Sequence, residues 1–287
     1  TNNSDSAYED NDSYLHLLEN ETKYLLSERA MSDKKFWVDR YHDFRTGVFH
    51  KNNIDLSAKR KTFVIGKHHA DIIRNYLASQ AVSMNVFMIS IMGIYLFKTT
   101  GQKDITLGIP VLNRYGKQEK KIFGMTTSTV PFTFCISPEY TILELLSEVQ
   151  LEFKKVLKHQ KYPYDLLVSD LNKKSKISSE LFNVSVNYNP GTPSQHLGGI
   201  PVEHLEFFPG EQTLSLHVMI KEWKEEGSLL IDIDFKTKDY SDYDIERMFQ
   251  MIKTSIDMII VKQIEKINEL DIIAPNEFKY LIEEFNK

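Results

Sequence analysis

The segment from Val86 to Lys98 constrains the fold of this chain more than any other, because it is apolar on most sides when it is drawn as a helix. A helix of that kind belongs in the interior of a protein, and we expect it to pack against a sheet. Its longest apolar run is too short to span a bilayer and is interrupted by Ser90 and Gly93. With 287 residues the chain can bury a large core, as one big domain or as two small ones.

Two strand-like segments joined by a charged loop lie between residues 104 and 134. In the first, apolar side chains occupy alternate positions from Ile105 to Val111, as in a half-buried strand. Pro110 places the end of that strand at an edge or a bend. The second segment follows Gly124, a residue suited to a close approach of the backbone to another group. Because a pair of predicted helices comes directly before the first strand, this order predicts an α/β fold.

The remaining elements alternate between helix and strand patterns. Thr141 to His159 is the clearest amphipathic helix, and Asp242 to Lys262 is another. Four strands are predicted between these helices, and the turn residues between the last three favour an antiparallel meander. These strands are Leu181–Asn189, Val202–Phe208, Thr213–Lys221 and Leu229–Phe235.

Two strands carry polar side chains at every second position. In the first, Asn183, Ser185, Asn187 and Asn189 share one face, and small polar side chains in a row favour a wet cleft or channel over a dry core. In the last strand Asp232 and Asp234 share a face, which we expect to lie in solvent.

Charge and composition exclude several classes of function. The net charge is −5 and there is no sustained basic run, which argues against nucleic acid as a main partner. The single cysteine, Cys135, excludes an internal disulfide framework and predicts a reducing, cytoplasmic compartment. We expect Cys135 to be a buried core thiol. The sequence shows no signal peptide, zinc-ligand spacing, Walker loop or G-x-S-x-G elbow, so single motifs indicate no active site.

Five segments follow one another in a distinctive order. They are Tyr14–Trp37 (YLHLLENETKYLLSERAMSDKKFW), Gly108–Arg114 (GIPVLNR), Phe123–Phe132 (FGMTTSTVPF), His159–Asp165 (HQKYPYD) and Leu181–Asn189 (LFNVSVNYN). Taken in this order, they resemble the condensation domains of nonribosomal peptide synthetases. HQ-x-x-P-[YF]-[DE] is the most specific single match, and the resemblance covers nearly the whole chain from Tyr14.

The resemblance implies a fold and a reaction. The fold is similar to chloramphenicol acetyltransferase: an α/β two-layer sandwich lobe, with a mixed and mostly antiparallel sheet and helices on one face. Two such lobes meet at a cleft, where two carrier proteins deliver their substrates as 4'-phosphopantetheine thioesters. The acceptor amine attacks the donor thioester and forms an amide. In the family this chemistry is assigned to an HHxxxDG motif in the N-terminal lobe, whose second histidine acts as a base or positions the amine.

This chain departs from the family pattern because it contains no HHxxxDG. His68 and His69 are adjacent, but Ile73 and Arg74 stand where the motif needs Asp and Gly. We therefore expect residues 14–265 to be the C-terminal lobe of a condensation domain, preceded by a poorly ordered lead-in of residues 1–13. Residues 266–287 resemble the start of a linker towards an adenylation domain. The isolated chain is predicted to be inactive.

The resemblance also implies roles for individual residues. No catalytic residue and no metal site is expected in this chain, and no cofactor is expected to bind it directly. The expected partners are donor and acceptor carrier domains, an N-terminal lobe and an adenylation domain, without nucleic acid or membrane. The predicted tunnel-lining residues are Thr126, Ser128, Asn187 and Asn189, and the predicted structural motif residues are Arg114, Gly124, His159, Gln160, Pro163 and Asp165.

Two alternatives remain open on the sequence alone. Ser128 stands where the family usually has Asn, which resembles some starter-type members that accept an acyl donor, and more faintly epimerisation domains. The chain could also be a non-catalytic lobe that only binds carrier proteins.

Overall fold

The computed structural model describes residues 14–43, 54–114, 119–175, 180–191, 194, 196–223 and 227–273. These residues divide into two compact units. We call the first the helical unit; it comprises Thr1–Arg45, Pro110–Val130 and Val156–Ser179. The second, the sheet unit, comprises Thr46–Ile109, Pro131–Lys155 and Glu180–Lys287. The predicted lead-in, residues 1–13, and most of the predicted linker, residues 274–287, lie outside the described residues.

The described part of the chain contains seven α-helices and eight strands. The helices are α1 (Tyr14–Leu25), α2 (Glu28–Tyr41), α3 (Lys67–Ser79), α4 (Met84–Thr100), α5 (Ile142–His159), α6 (Tyr164–Ser175) and α7 (Asp242–Ile260). The strands are β1 (Ala58–Ile65), β2 (Asp104–Val111), β3 (Ser128–Cys135), β4 (Val184–Asn189), β5 (His196–Leu197), β6 (Ile200–Pro201), β7 (Leu216–Lys221) and β8 (Leu229–Lys236).

Serine residues cap the helices that matter most for the sheet unit. Ser83 Oγ accepts a hydrogen bond from the backbone N–H of Val86 and so begins α4. Gly101 ends the same helix with a φ of 72°, a backbone angle that favours glycine. Ser241 and Asp244 form a capping box at the start of α7, in which each side chain bonds to the backbone of the other residue.

Helix α4 is the centre of the sheet unit. Met84 and every residue from Val86 to Leu96 are buried, which confirms the predicted interior helix. It contacts α7 and strand β4. No single described helix has the length and hydropathy to cross a membrane, and although α3 and α4 together pass that test, they are bent by 103° at their junction.

Six strands form one mixed sheet in the order β1-β8-β7-β4-β2-β3. Strand β8 pairs antiparallel with both β1 and β7, whereas β4 runs parallel to both β7 and β2. The predicted α/β class is therefore correct, and β7 with β8 forms the expected hairpin. The predicted meander is wrong in its first member, because Val202–Phe208 does not join this sheet. Strands β4 and β7 are parallel neighbours, so the chain between them must return to the end of the sheet at which β4 began. Because β4 and β7 pair directly, no strand from that connection lies between them.

The two faces of the sheet differ in chemistry. On one face, Ile231, Ile233 and Phe235 of β8 are buried, and the Phe63 ring of β1 stacks on Phe249 of α7 at 4.1 Å. Helix α7 lies on this apolar face, as predicted for the helices. The other face is polar, and it is described with the candidate site.

One smaller expectation needs correction. Cys135 is exposed rather than buried in the core, because it lies at the end of β3 on the face opposite to the buried Phe132 and Phe134. Ile267, Leu270 and Ile272 are buried, so the first residues of the predicted linker pack within the sheet unit.

Glycine at position 93 is required by the packing of α4 against β3. A Cβ atom there would lie 2.5 Å from Cζ of Phe134 and 3.2 Å from Cδ1 of Ile136. We expect Gly93→Ala to lower the free energy of unfolding by about 1–2 kcal/mol, because overpacking outweighs the gain in helix propensity. Urea denaturation measures this. In a double-mutant cycle, Phe134→Leu should offset part of the Gly93→Ala cost, and strict additivity of the two would contradict the proposed clash.

Candidate functional site

One face of the sheet gathers polar side chains from four neighbouring strands. The pairing register places Arg60 opposite Asp234, His217 opposite Asp234, and Asn187 opposite Met219, so residues two apart on each strand share this face. We call it the polar face, and it consists of Arg60, Thr62, Ser185, Asn187, Asn189, His217, Lys221, Asp232 and Asp234.

Buried charges hold the centre of the polar face. Nε and Nη2 of Arg60 donate to the two carboxylate oxygens of Asp234 at 2.6 and 2.9 Å. Lys221 is 1% exposed, and its ammonium donates to Asp232 Oδ2 at 2.6 Å and to the carboxylate of Glu206. The expectation that Asp232 and Asp234 lie in solvent is therefore wrong. They are 5% and 4% exposed, because the cations on β1 and β7 pair with them.

Glu206 completes this network from the crossover between β6 and β7. Its carboxylate accepts from Lys221 and lies 2.9 Å from Nη1 of Arg60. Burial alone would raise the pKa of Glu206, but the hydrogen bonds from Lys221 and Arg60 outweigh it and lower that pKa. The hydrogen bond to Asp234 likewise raises the pKa of Arg60, against the effect of burial. The network therefore favours the charged forms of Glu206 and Arg60.

His217 lies beside these charges in a different state. Burial lowers the pKa of His217, so the neutral imidazole is favoured. Its Nε2 atom is buried and has no hydrogen-bond partner among the described residues. A half-buried imidazole whose Nε2 atom is unpaired among the described residues thus lies next to the charged network.

The four polar side chains of the β4 segment separate into two pairs. Asn183 and Ser185 are buried, and Asn183 Oδ1 accepts the backbone N–H of Ser215 at 2.8 Å, so that pair does not line a wet cleft. Asn187 and Asn189 are half-buried. Asn189 Oδ1 accepts from the N–H of Gly191 at 3.0 Å, which leaves its amide N–H₂ as a donor.

Arg114 organises the loop that carries the other predicted lining residues, in the helical unit. Its Nη1 and Nη2 donate to the carbonyl oxygens of Ile122 and Gly124 at 2.8 and 2.6 Å. Its Nε donates at 2.8 Å to the hydroxyl of Thr126, which in turn donates to the Leu112 carbonyl. The partners of Arg114 among the described residues are thus carbonyl and hydroxyl oxygens, and this supports the predicted structural role.

Gly124 and Ser128 lie on either side of Thr126. A Cβ atom on Gly124 would lie 2.5 Å from the ring of Tyr14, which is the close approach expected for this glycine. Ser128 begins β3 and is half-buried. The structure thus brings Arg114, Gly124 and Thr126 together in one loop, and it places Asn187 and Asn189 together on one strand.

His159 ends α5 and contacts a buried carboxylate of the helical unit. Its Nδ1 lies 2.6 Å from Oδ1 of Asp33, which is fully buried, and its ring stacks on Phe36 at 3.9 Å. Asp33 also accepts from the Tyr24 hydroxyl and from Arg29. Because His159 lies 126 residues from Asp33, no local pattern in the sequence identifies this carboxylate as the common partner.

The other residues of the HQKYPYD segment form the joint between α5 and α6. Gln160 Nε2 donates to the Leu157 carbonyl at 3.0 Å, and the Pro163 carbonyl accepts the first helical N–H of α6, from Leu167. Asp165 lies in the first turn of α6, where a negative charge is favourable.

Two further features lie away from the predicted residues. His69 Nε2 lies 2.5 Å from Oδ1 of Asp257 and links α3 to α7, while His68 is exposed, so the pair serves no common site. A cleft of about 550 Å³ lies between α4, α7 and residues 270–273, and none of the predicted site residues lines it. The described residues contain no group of three or more His, Cys, Asp or Glu side chains that could hold a metal ion.

Comparison with known proteins gives one consistent result. A family model described as "Condensation domain" matches residues 2–282. The chain is 28% identical over 280 residues to surfactin synthase subunit 1 and 23% identical over 283 residues to dimodular nonribosomal peptide synthase, both of Bacillus subtilis (strain 168). Each match covers 94% of this chain, but the chain spans only 8% and 11% of those much longer proteins.

Solved structures of similar fold extend beyond this chain. The first condensation domain of the calcium-dependent antibiotic synthetase, in complex with a substrate analogue, matches with a TM-score of 0.79 at 17% identity. The starter condensation domain of rhizomide synthetase, in complex with C8-CoA, matches with a TM-score of 0.73 at 21% identity. The matches cover 89% and 90% of this chain and 56% and 58% of those chains. At such identities the likeness concerns the fold, and it confirms the predicted fold class.

The lowered pKa of His217 predicts a dependence of stability on pH. The unfolded chain binds a proton at this residue near pH 6.5, whereas the folded protein binds it only at lower pH. The free energy of unfolding should therefore be highest above pH 6.5 and fall as the pH drops towards the lowered pKa. Urea denaturation across this pH range should show that the free energy of unfolding falls less in His217→Gln than in the parent protein. The exposed His68→Gln is the control, and an equal fall in the two variants would contradict the assignment.

Arg114 should be irreplaceable by lysine in its loop. A lysine ammonium cannot reproduce the fork that reaches Thr126, Ile122 and Gly124 together. We expect Arg114→Lys to lower the free energy of unfolding by about 1.5–3 kcal/mol, as for the loss of charged hydrogen bonds. Urea denaturation measures the change. Lys120→Arg, an exposed change in the same loop, should stay within about 0.5 kcal/mol of the parent.

Proposed function

The chain belongs to the condensation domain family of nonribosomal peptide synthetases, and on that premise we propose that it supplies part of a domain that joins two carrier-bound substrates by an amide bond. The observation that carries the proposal is the family match over residues 2–282. The donor is an acyl or peptidyl thioester and the acceptor is an aminoacyl thioester. The acceptor nitrogen attacks the thioester carbonyl carbon, the C–S bond breaks, and the carrier thiol leaves.

Carrier domains are the partners that this reaction requires. Domains of this family work with carrier proteins whose substrates are attached through 4'-phosphopantetheine, which contains amide groups. Asn187 and Asn189 are suited to such a group, because each side-chain amide can both donate and accept hydrogen bonds. Both residues are half-buried at the end of β4 that points away from the buried Asn183. We propose that they line the tunnel for the pantetheine arm in the sheet unit.

In the helical unit, Thr126 and Ser128 are the proposed lining residues. Arg114 fixes Thr126 by a bond to its hydroxyl, which supports a rigid wall rather than a mobile loop. Ser128 replaces the Asn that is usual in the family, and it is the residue that favours a starter-type donor over an aminoacyl donor.

The base for the amine proton is proposed to come from outside this chain. The sequence has no HHxxxDG. His159 and His69 each bond to a carboxylate, and His217 is half-buried beside the ion network, which supports assigning the base elsewhere. We therefore propose that this chain is the C-terminal lobe and that an N-terminal lobe supplies the histidine. Residues 266–287 are proposed to lead towards an adenylation domain, and the protein is proposed to act in the cytoplasm.

The second candidate is a lobe that binds carrier proteins without catalysis. It is favoured by the same missing motif, and it would leave the polar face and the Arg114 loop as binding surfaces alone. The two candidates differ in whether an amide forms when the rest of the domain is supplied.

An amide-forming assay with two loaded carrier domains tests both candidates. We expect no product above background from this chain alone, and product when it is combined with the adjoining region of its source gene that carries HHxxxDG. Asn187→Ala and Asn189→Ala should each raise KM for the pantetheine-bound substrate by about three- to tenfold with a smaller change in kcat, because each removes a binding contact.

Asn75→Ala, an exposed change on α3, is the matched control and should leave KM unchanged. Carrier binding without product in the combined system would favour the non-catalytic candidate. Product from the chain alone would overturn the assignment of the base to another lobe.

A further inference from the structure

The cleft between α4, α7 and residues 270–273 has an apolar wall made of buried side chains. It lies wholly within the sheet unit, and its volume of about 550 Å³ is typical of a small-molecule site. The side chains of its apolar wall are each at most 6% exposed, and they are Met248, Met251, Leu270 and Ile272. Such a wall can take the apolar part of a ligand out of water.

Two tyrosines add polar atoms to the interior of the cleft. Tyr95 of α4 and Tyr240, which precedes α7, are each 8% exposed. Burial raises the pKa of Tyr95 to about 12, and the nearby Arg247 and Asp244 act on it in opposite directions. Burial likewise raises the pKa of Tyr240, and nearby acidic groups, Asp244 among them, raise it further. Both hydroxyls therefore stay protonated near neutral pH and can donate or accept hydrogen bonds.

The rim of the cleft carries charges of both signs. Its charged groups are the carboxylates of Asp239, Asp244 and Asp271 and the cations of Lys98 and Arg247. Asp244 and Arg247 lie three residues apart on α7, so their side chains are neighbours on the surface of that helix. A carboxylate and a guanidinium therefore lie side by side at the edge of an apolar wall.

The mixture of charges restricts the chemical class of ligand. A carboxylate or phosphate without a cation would meet three acidic groups, whereas an amine without an anion would meet two cations. An α-amino acid carries an ammonium and a carboxylate on the same carbon, so two adjacent groups of opposite sign can bind both of its charges. A large apolar side chain on that carbon matches the buried wall.

We propose that this cleft binds a free α-amino acid with a large apolar side chain. The ligand carboxylate binds the Arg247 guanidinium, its ammonium binds the Asp244 carboxylate, and its side chain packs on Met248 and Met251. The inference goes beyond the proposed function and does not depend on it, because no residue of the polar face or of the Arg114 loop lines the cleft.

Isothermal titration calorimetry of the full chain with L-leucine and with L-phenylalanine tests the proposal. We expect saturable binding of at least one of them at millimolar concentration. The matching amine without the carboxylate, isoamylamine or phenethylamine, should bind at least about tenfold more weakly, because it loses a charged hydrogen bond. The matching acid without the ammonium, 4-methylpentanoate or 3-phenylpropanoate, should be weakened to a similar extent. Absence of saturable binding of both amino acids would overturn the proposal, and so would equal affinities for an amino acid and its two analogues.

Two variants place the ligand in the cleft. Arg247→Gln should raise the Kd of the amino acid at least about tenfold but that of the matching amine by less than about twofold, because the amine has no carboxylate to lose. Thr99→Trp, at an exposed residue that lines the cleft, should block it and abolish binding. Gln250→Trp, an exposed change on α7 outside the lining, is the matched control and should leave the Kd unchanged.

The variants can also contradict the proposal. Equal losses of affinity for the amino acid and its amine in Arg247→Gln would indicate a general disturbance of the fold and overturn the assignment of Arg247 to the carboxylate. Full affinity in Thr99→Trp would place the ligand outside the cleft and overturn the site.

Discussion

The all-round burial of helix α4 is the constraint on which the sheet unit depends. A helix without a polar side must pack against other elements in every direction, and α7 and β4 are two of the elements that contact α4. The close contact at Gly93 brings the helix down onto Phe134 of β3. With α7 on one face of the sheet, the polar side chains that alternate out of β7 and β8 lie on the other. The chemistry of the polar face thus follows from the packing of the opposite face.

The ion network of the polar face contributes specificity more than stability. Removing charges from water costs several kcal/mol for each ion, and mutual attraction repays this only when the geometry is good and the remaining polar atoms are bonded. Arg60 meets that condition through its two-pronged bond to Asp234, and Lys221 meets it through Asp232 and Glu206. A shifted strand register would leave these charges buried and unpaired, so the network selects one alignment of β1, β8 and β7.

Sequence patterns predict the helices, the central strands and the fold class, because their periodicity is local. They fail where a partner lies far along the chain. Asp232 and Asp234 look solvent-exposed in the sequence, since nothing near them reveals Arg60 or Lys221 across the sheet. Val202–Phe208 is wrongly predicted in the meander, since alternation shows a strand without showing its neighbour. Asn187 and Asn189 are separated from Asn183 and Ser185 only by burial, which a strict alternation cannot express.

The buried carboxylate of Asp33 has a consequence for the order in which the chain can fold. Its partners Tyr24 and Arg29 are made within a few residues of it, but His159 follows 126 residues later. The indole of Trp37 likewise waits for the His159 carbonyl. During synthesis at the ribosome, α1 and α2 therefore emerge long before the segment that completes their core. A nascent chain must therefore hold these two helices without their final partner until the end of α5 has been translated.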